Sequence, residues 1–454
     1  MPGNNNIQTR EEFIMAMVVK NNMSAVNTLN TLNKNSSALS KSLQKVSSGM
    51  RINSAADDAS GYAISERMRV QIRSLDQDNK NTQNGNSMMK VAEGAVSSTV
   101  EILKTLKEKV INAANDTNTD ADRQTIQKEL DQSIDQIDDN ANVTYNGKYL
   151  VDGSHNSKTT ATTTALTNQS LSTDTVSTSA VTNLKNRSGE SLYIHSTDNV
   201  TISYVKQGQT YTTTFSVGTQ SFSEILARTA YNGTSTIAGQ LTVNSTKTDV
   251  IGTDGSGNTV YTADRGCAMT LTAASSGTDG QIAGFTISIT DNTGKINKNA
   301  NAVLDNFNES IRAQNASADN SLVLQTGTKA NQAIKVSMTD MRSVALGLKG
   351  TDGTTLNVST QAKANAAINV LDNALQKALD QQTTIGSIES RLEYTSANLT
   401  TASENVQASE STIRDADMAK EMTEYTKNNV LLQAAQSMLA QANQNSSSVL
   451  SLLQ

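Results

Sequence analysis

The sequence predicts a mainly α-helical protein with an inserted β-rich module, elongated and nested so that the two ends of the chain pair. Three observations predict it. The only proline is Pro2, so from residue 3 onward no proline breaks a helix. Apolar residues recur at three- and four-residue spacing at both ends of the chain. Between residues 154 and 315 that period gives way to alternation punctuated by Gly, Asp and Ser.

The first helical stretch covers about 24–50, with Val26, Leu29, Leu32, Leu39, Leu43, Val46 and Met50 in one narrow stripe and Asn, Ser, Thr and Lys elsewhere. Gly49 and the run 51–58 interrupt it. Ile64, Met68, Ile72 and Leu75 continue the pattern, followed by Val96, Val100, Leu103, Leu106 and Val110. After a polar loop over 115–122 come Ile126, Leu130, Ile134 and Ile137. Asn146-Gly147 then stands between two β-prone runs, and this dipeptide supplies the positive φ angles of a type I′ hairpin turn. Of the 29 residues 154–182, 16 are Ser or Thr, which reads as a linker or solvated loop. Val200, Ile202 and Tyr204 line one strand face and Tyr211, Thr213, Phe215 and Val217 another, with Gln207-Gly208-Gln209 as the turn. Shorter strands are expected at 241–243, 269–271 and 285–289. Helical pattern returns near Ala302 and dominates from Ala362, where Leu392, Leu399, Val406 and Ile413 form a heptad seam. Met438, Leu439, Val449, Leu450, Leu452 and Leu453 close the chain.

The composition excludes several functions. A net charge of −6 argues against a nucleic-acid binder led by charge. A lone Cys267 rules out an intramolecular disulfide framework and a cysteine zinc site, and His155 and His195 are too few for a histidine-rich centre. No run approaches the ~18 apolar residues of a membrane span, and Phe13–Val19, preceded by Glu11 and Glu12, does not read as a secretory signal. Adjacent carboxylates such as Asp57-Asp58 and Asp138-Asp139 diverge on a helix and read as caps or turns. Asp415 and Asp417 read as helix charge pairing beside Arg414, and Cys267 as a small filler. No catalytic, cofactor or metal constellation appears. The outermost stretches, 24–50 and 418–454, have so sparse an apolar stripe that they are marginal alone, and self-association would supply the missing burial.

Both ends carry a resemblance. Met17-Val-Val-Lys20 and Ser48-Gly-Met-Arg-Ile-Asn-Ser-Ala-Ala-Asp-Asp-Ala-Ser-Gly-Tyr-Ala-Ile-Ser65 at one end resemble bacterial flagellin, the filament subunit. At the other end so do Arg391-Leu-Glu-Tyr394, Ser411-Thr-Ile-Arg-Asp-Ala-Asp417, Met438-Leu-Ala-Gln-Ala-Asn-Gln444 and Val449-Leu-Ser-Leu-Leu453. The resemblance covers about 17–153 and 318–454, and the middle module matches nothing in it. It implies an inner coiled-coil layer of 17–56 with 415–454, a second helical layer with the β-hairpin of 57–155 with 316–414, and an outer variable module of 156–315. The family begins at the position of Met17, which leaves residues 1–16 as an upstream start or foreign residues.

The resemblance further implies a helical homo-oligomer, extracellular and exported without a cleaved signal peptide through the flagellar type III route. Its partners would be an export chaperone, a cap protein and hook–filament junction proteins. Polymerisation contacts are then expected from Val26, Leu29, Leu32, Leu39, Leu43, Met438, Leu439, Val449, Leu450, Leu452 and Leu453. Recognition by Toll-like receptor 5 is expected to be weakened. Thr105 and Lys109 stand where the family's recognition helix carries Arg and Leu, whereas Glu108 and Glu129 match. The competing reading is a secreted coiled-coil adhesin whose middle module binds a ligand, and an adhesin should carry a signal peptide and an anchor.

Overall fold

The computed structural model describes residues 22–452 apart from 177, 222–223, 225–238, 245–249 and 262–267. Cys267 therefore lies outside the described residues. The described residues form two compact units, one of 22–77 with 399–452 and one within 78–398. Its long helices are α1 (Met23–Ser48), α2 (Ala59–Ala113), α3 (Asp120–Ala141), α6 (Gln361–Arg414) and α7 (Met418–Leu452). The two apolar stripes expected at 64–75 and 96–110 belong to the single helix α2.

In the first unit α1 and α7 pair antiparallel. Asn22 caps α1 by accepting the Ala25 N–H at 3.0 Å, and Gly49, at φ +70°, ends it in the left-handed conformation. The breaks after α1 and before α7 lie side by side. Met50 bridges Asp415, and the Ala416 N–H donates to the Gly49 carbonyl. The acidic residues of these breaks act as turn and cap groups. Asp57 accepts the N–H groups of Asn53 and Ser54, Asp58 that of Gly61, and Asp417 those of Ala419 and Lys420. Those hydrogen bonds hold the Asp57 carboxyl below its ordinary range. Arg414 is not paired along its own helix with Asp415 or Asp417. It turns to Glu66, while Asp415 accepts from Ser411.

In the second unit the stretches 78–113 and 361–398 of the long helices enclose a core with α3. Val100, Leu103, Leu106 and Val110 are buried, as are Leu130, Ile134 and Ile137. A reciprocal Thr119–Asp122 capping box starts α3. The hairpin of β1 (Thr144–Tyr145) and β2 (Lys148–Tyr149) turns through Asn146 and Gly147 at φ +51° and +76°, the I′ geometry that this dipeptide favours.

The inserted module has its own apolar cluster. One antiparallel sheet orders β10 (Ile282–Thr290), β4 (Asn199–Lys206) and β5 (Gln209–Ser216), and Tyr204 stacks on Tyr211 with ring centroids 5.1 Å apart. A second orders β11 (Asn308–Ile311), β3 (Ala165–Asn168), β9 (Ala268–Ala273) and β6 (Gly239–Asn244). β7 (Val250–Thr253) pairs with β8 (Thr259–Tyr261). Two sequence expectations fail here. The Ser/Thr-rich stretch 154–182 is not merely a solvated linker, because β3 within it is wholly buried between β9 and β11. Helix does not resume lastingly near Ala302. Only α4 (Lys298–Leu304) forms there, followed by β11, by the hairpin of β12 (Leu322–Gln325) and β13 (Ala333–Val336), and by the short α5 (Ser343–Leu346).

The module docks on α6. The Asn369 amide donates to the Phe285 carbonyl at 3.1 Å and the Asn373 amide to the Ala283 carbonyl at 2.9 Å. Gly284 makes the approach possible, since a Cβ there would lie 2.7 Å from Val370. Further along the helix the buried Lys377 pairs with Glu309 at 3.3 Å, and Asp380 accepts from Arg312. Burial lowers the Lys377 amine below its ordinary value, against the pull of Glu309.

Candidate self-assembly surface

The seam between α1 and α7 is a heptad pattern in which small and polar residues are interspersed with Leu, Val and Tyr. On α1 the inward positions are Ala25, Thr28, Leu32, Asn35, Leu39, Ser42 and Val46, spaced alternately three and four apart. On α7 they include Tyr425, Asn428, Leu432, Ala435, Leu439 and Ala442. Polar side chains fix the register. Asn22 donates to the Ala442 carbonyl, Asn35 to the Leu431 carbonyl and Asn428 to Ser42, while Lys45 lies 3.5 Å from Glu421. Such a seam specifies pairing more than it stabilises it.

The apolar residues singled out in the sequence therefore divide between two faces. Leu32, Leu39 and Leu439 are half-buried in the seam. Val26, Leu29, Leu43 and Met438 point outward, between 45% and 62% exposed, one residue round the helix from the seam positions. The side chains of Val449, Leu450 and Leu452, and all of Leu453, lie outside the described residues. Met23, Met418, Met422, Val430 and Leu431 add to the exposed apolar set, which is far more than scattered surface residues of a monomer need.

Arg414 organises the junction between the helix breaks, a role the sequence did not signal beyond its place in the Ser411–Asp417 motif. It is 7% exposed. Its guanidinium donates to Ser65 at 3.1 Å and Glu66 at 2.7 Å, and lies over the Tyr62 ring at 5.6 Å. The Arg414 hydrogen bond holds the Glu66 carboxyl below its usual value. Ser65 in turn donates to Glu410 at 2.9 Å.

In the second unit the residues expected to matter for receptor recognition share one face. Thr105 and Glu108 are exposed, and the Thr105 hydroxyl donates to the Glu101 carbonyl. Lys109 reaches Glu129 of α3 at 3.0 Å. Among the described residues no three His, Cys, Asp or Glu side chains group to hold a metal ion, and no helix is long and apolar enough to cross a membrane.

Residues 19–156 match the family described as bacterial flagellin N-terminal helical region, and 368–453 its C-terminal helical region. A flagellin of Clostridium tyrobutyricum is 34% identical over 430 residues, covering 94% of this chain and 99% of that protein. The chain belongs to the flagellin family. The flagellin of Bacillus subtilis (strain 168) is 30% identical, over 96% of this chain and all of that one. Among solved structures, FliC from Burkholderia pseudomallei is 18% identical, covers 68% of this chain and 99% of its own, and superposes with a TM-score of 0.24, too low to bear on the fold. As a flagellin this chain is a structural subunit of the extracellular flagellar filament, and nothing in the comparisons favours the adhesin reading.

Proposed function

We propose that the subunit polymerises through the outward faces of α1 and α7, with Val26, Leu29, Leu43 and Met438 joined by Leu32, Leu39 and Leu439 at the seam's edge and by Val449, Leu450, Leu452 and Leu453 at the end of the chain. The observation that carries this reading is the exposed apolar set on a helix pair whose own seam gives about half of its positions to small and polar residues. Heterologous, non-closing contacts between such faces grow a fibre. In this reading 17–56 with 415–454 form the inner layer, 57–155 with 316–414 the second, and 156–315 project outward, while 1–16 precede the family pattern. Export runs unfolded and without a cleaved signal peptide, assisted by a chaperone and a cap protein, and the filament joins the hook through junction proteins. Toll-like receptor 5 binds weakly, because Thr105 lacks the guanidinium fork and Lys109 brings a charge to an apolar contact.

The termini are the test. Ordering costs about 1–2 kcal/mol per residue of backbone entropy, and the seam offers little burial to offset it. In dilute monomer α1 and α7 are therefore expected to exchange their amide hydrogens quickly, and to become protected on assembly. Deleting 415–454 is expected to abolish filaments in electron micrographs while the helical signal of the second unit persists. Filaments of normal core diameter from that deletion would refute the assignment.

A further inference from the structure

The seam between the inserted module and α6 holds a half-buried carboxyl with no counter-charge. Asp305 follows α4, its own N–H donating to the Asn301 carbonyl at 2.9 Å. Its carboxylate accepts from the Ile287 N–H of β10 and, at 3.4 Å, from the Asn369 amide of α6. The same Asn369 nitrogen donates to the Phe285 carbonyl, so one side chain holds both the strand and the acid.

The elements packed round Asp305 bring it no cation. β10 carries no charged residue over 282–290. On α6, Asp372 is engaged by Lys107, Lys377 by Glu309, and Lys363 is a half-exposed residue near the start of the helix, with no ion pair to Asp305. On β11, Glu309 has Lys377 and Arg312. On α4 the charged residue is Lys298, at the opposite end of the helix. Among the described residues Asp305 makes no ion pair. Burial accordingly pushes its carboxyl up from the ordinary range to about 7, against the smaller pull of its two hydrogen bonds.

We propose that docking of the inserted module on α6 is proton-sensitive, with Asp305 as the sensing group: the seam is tight while this carboxyl is neutral and loosens when it ionises. The docked state retains the proton, whereas an opened seam returns Asp305 to water, where an aspartate ionises near 4. Opening therefore releases a proton between those two values. The stabilisation is complete at acid pH and is lost as pH rises towards 7. The opening constant rises by up to about tenfold per pH unit in that window and levels off above it, where both states are ionised. Glu309 and Asp380, in the same seam, each have a cationic partner and lack this feature.

The experiment is amide exchange of β10 and of the 361–380 stretch in the full-length monomeric chain between pH 5 and 8, corrected for the intrinsic rate. Wild type is expected to show the rising opening constant with its plateau above 7, and Asp380→Asn to keep it, whereas Asp305→Asn is expected to be flat. Equal slopes for wild type and Asp305→Asn would overturn the proposal. Should that variant lose seam protection at every pH, the side-chain carboxyl carbon signal of Asp305 in the wild type decides by itself. A titration midpoint near 7 supports the proposal, and one near 4 overturns it.

Discussion

Lys109 shows how a single substitution acts twice. It replaces an apolar contact of the resembling pattern with an ammonium, and it also occupies Glu129, one of the two retained acids, at 3.0 Å. Both partners are substantially exposed, so the pair adds little to stability, about 0–1 kcal/mol. On the proposed reading its consequence would be for recognition, because a receptor would have to compete for Glu129 as well as desolvate Lys109. Thr105 is tied to its own helix through the Glu101 carbonyl and is too short to reach outward. Restoring the pattern with Thr105→Arg and Lys109→Leu is expected to strengthen Toll-like receptor 5 binding by roughly tenfold or more, the scale of one interface anchor. Lys109→Leu alone, which frees Glu129, should recover part of that gain. A binding titration of the wild type beside both variants checks it, and three equal affinities would mean that contacts elsewhere decide.

At the scale of elements, the contact between β10 and α6 depends on a missing side chain. At Gly284 a Cβ would meet the Val370 side chain at 2.7 Å and its backbone nitrogen at 3.0 Å. The backbone cannot yield as a flexible side-chain tip can, so Gly284→Val should push the strand from the helix and strain the Asn369 and Asn373 hydrogen bonds. A loss of about 1–3 kcal/mol is expected, as for overpacking elsewhere, read as a lowered unfolding midpoint in urea. An unchanged midpoint would show that the seam rearranges freely. These elements were unequally legible in the sequence. Long helices announced themselves because their buried positions repeat locally, as Val100, Leu103, Leu106 and Val110 do, and Asn146-Gly147 carried its turn in two residues. β3 did not, since Ala165–Asn168 is buried by β9, β11 and, at Asn168, the end of α4, all more than 100 positions away. The β12–β13 hairpin was also hidden, because Leu322 and Leu324 meet Val336 and Ile334 across a polar stretch with no tight-turn dipeptide. The apolar residues proposed for assembly could not be sorted by face from the sequence, because a stripe drawn from apolar letters alone omits Asn35 and Ser42, which hold the seam positions.

For the whole molecule the question is how far the inserted module is separable. Its cluster of Leu166, Leu171, Ile202, Leu271, Phe285 and Ile287 is a core of its own, which argues that the helical part assembles without it. Yet α6 presents Ala366, Val370, Asn369, Asn373 and Lys377 to the module, and Val205 and Ala283 of its strands belong to the helical core instead. Removing 160–312 and closing the gap with a short Gly/Ser link bares that face. Two opposing effects follow. The apolar side chains along it lose burial worth about 1.5–3 kcal/mol for each one fully exposed. Lys377 regains water and sheds the desolvation that lowers its amine. The first should prevail by about 1–3 kcal/mol, because few side chains are involved and only part of their area is uncovered. The shortened chain is expected to form filaments in electron micrographs while its helical signal melts several degrees below that of the parent. Loss of both assembly and helix would make the module part of the core fold. Filaments with an unshifted melt would mean that the α6 seam positions the module without contributing to the stability of the helices beneath it.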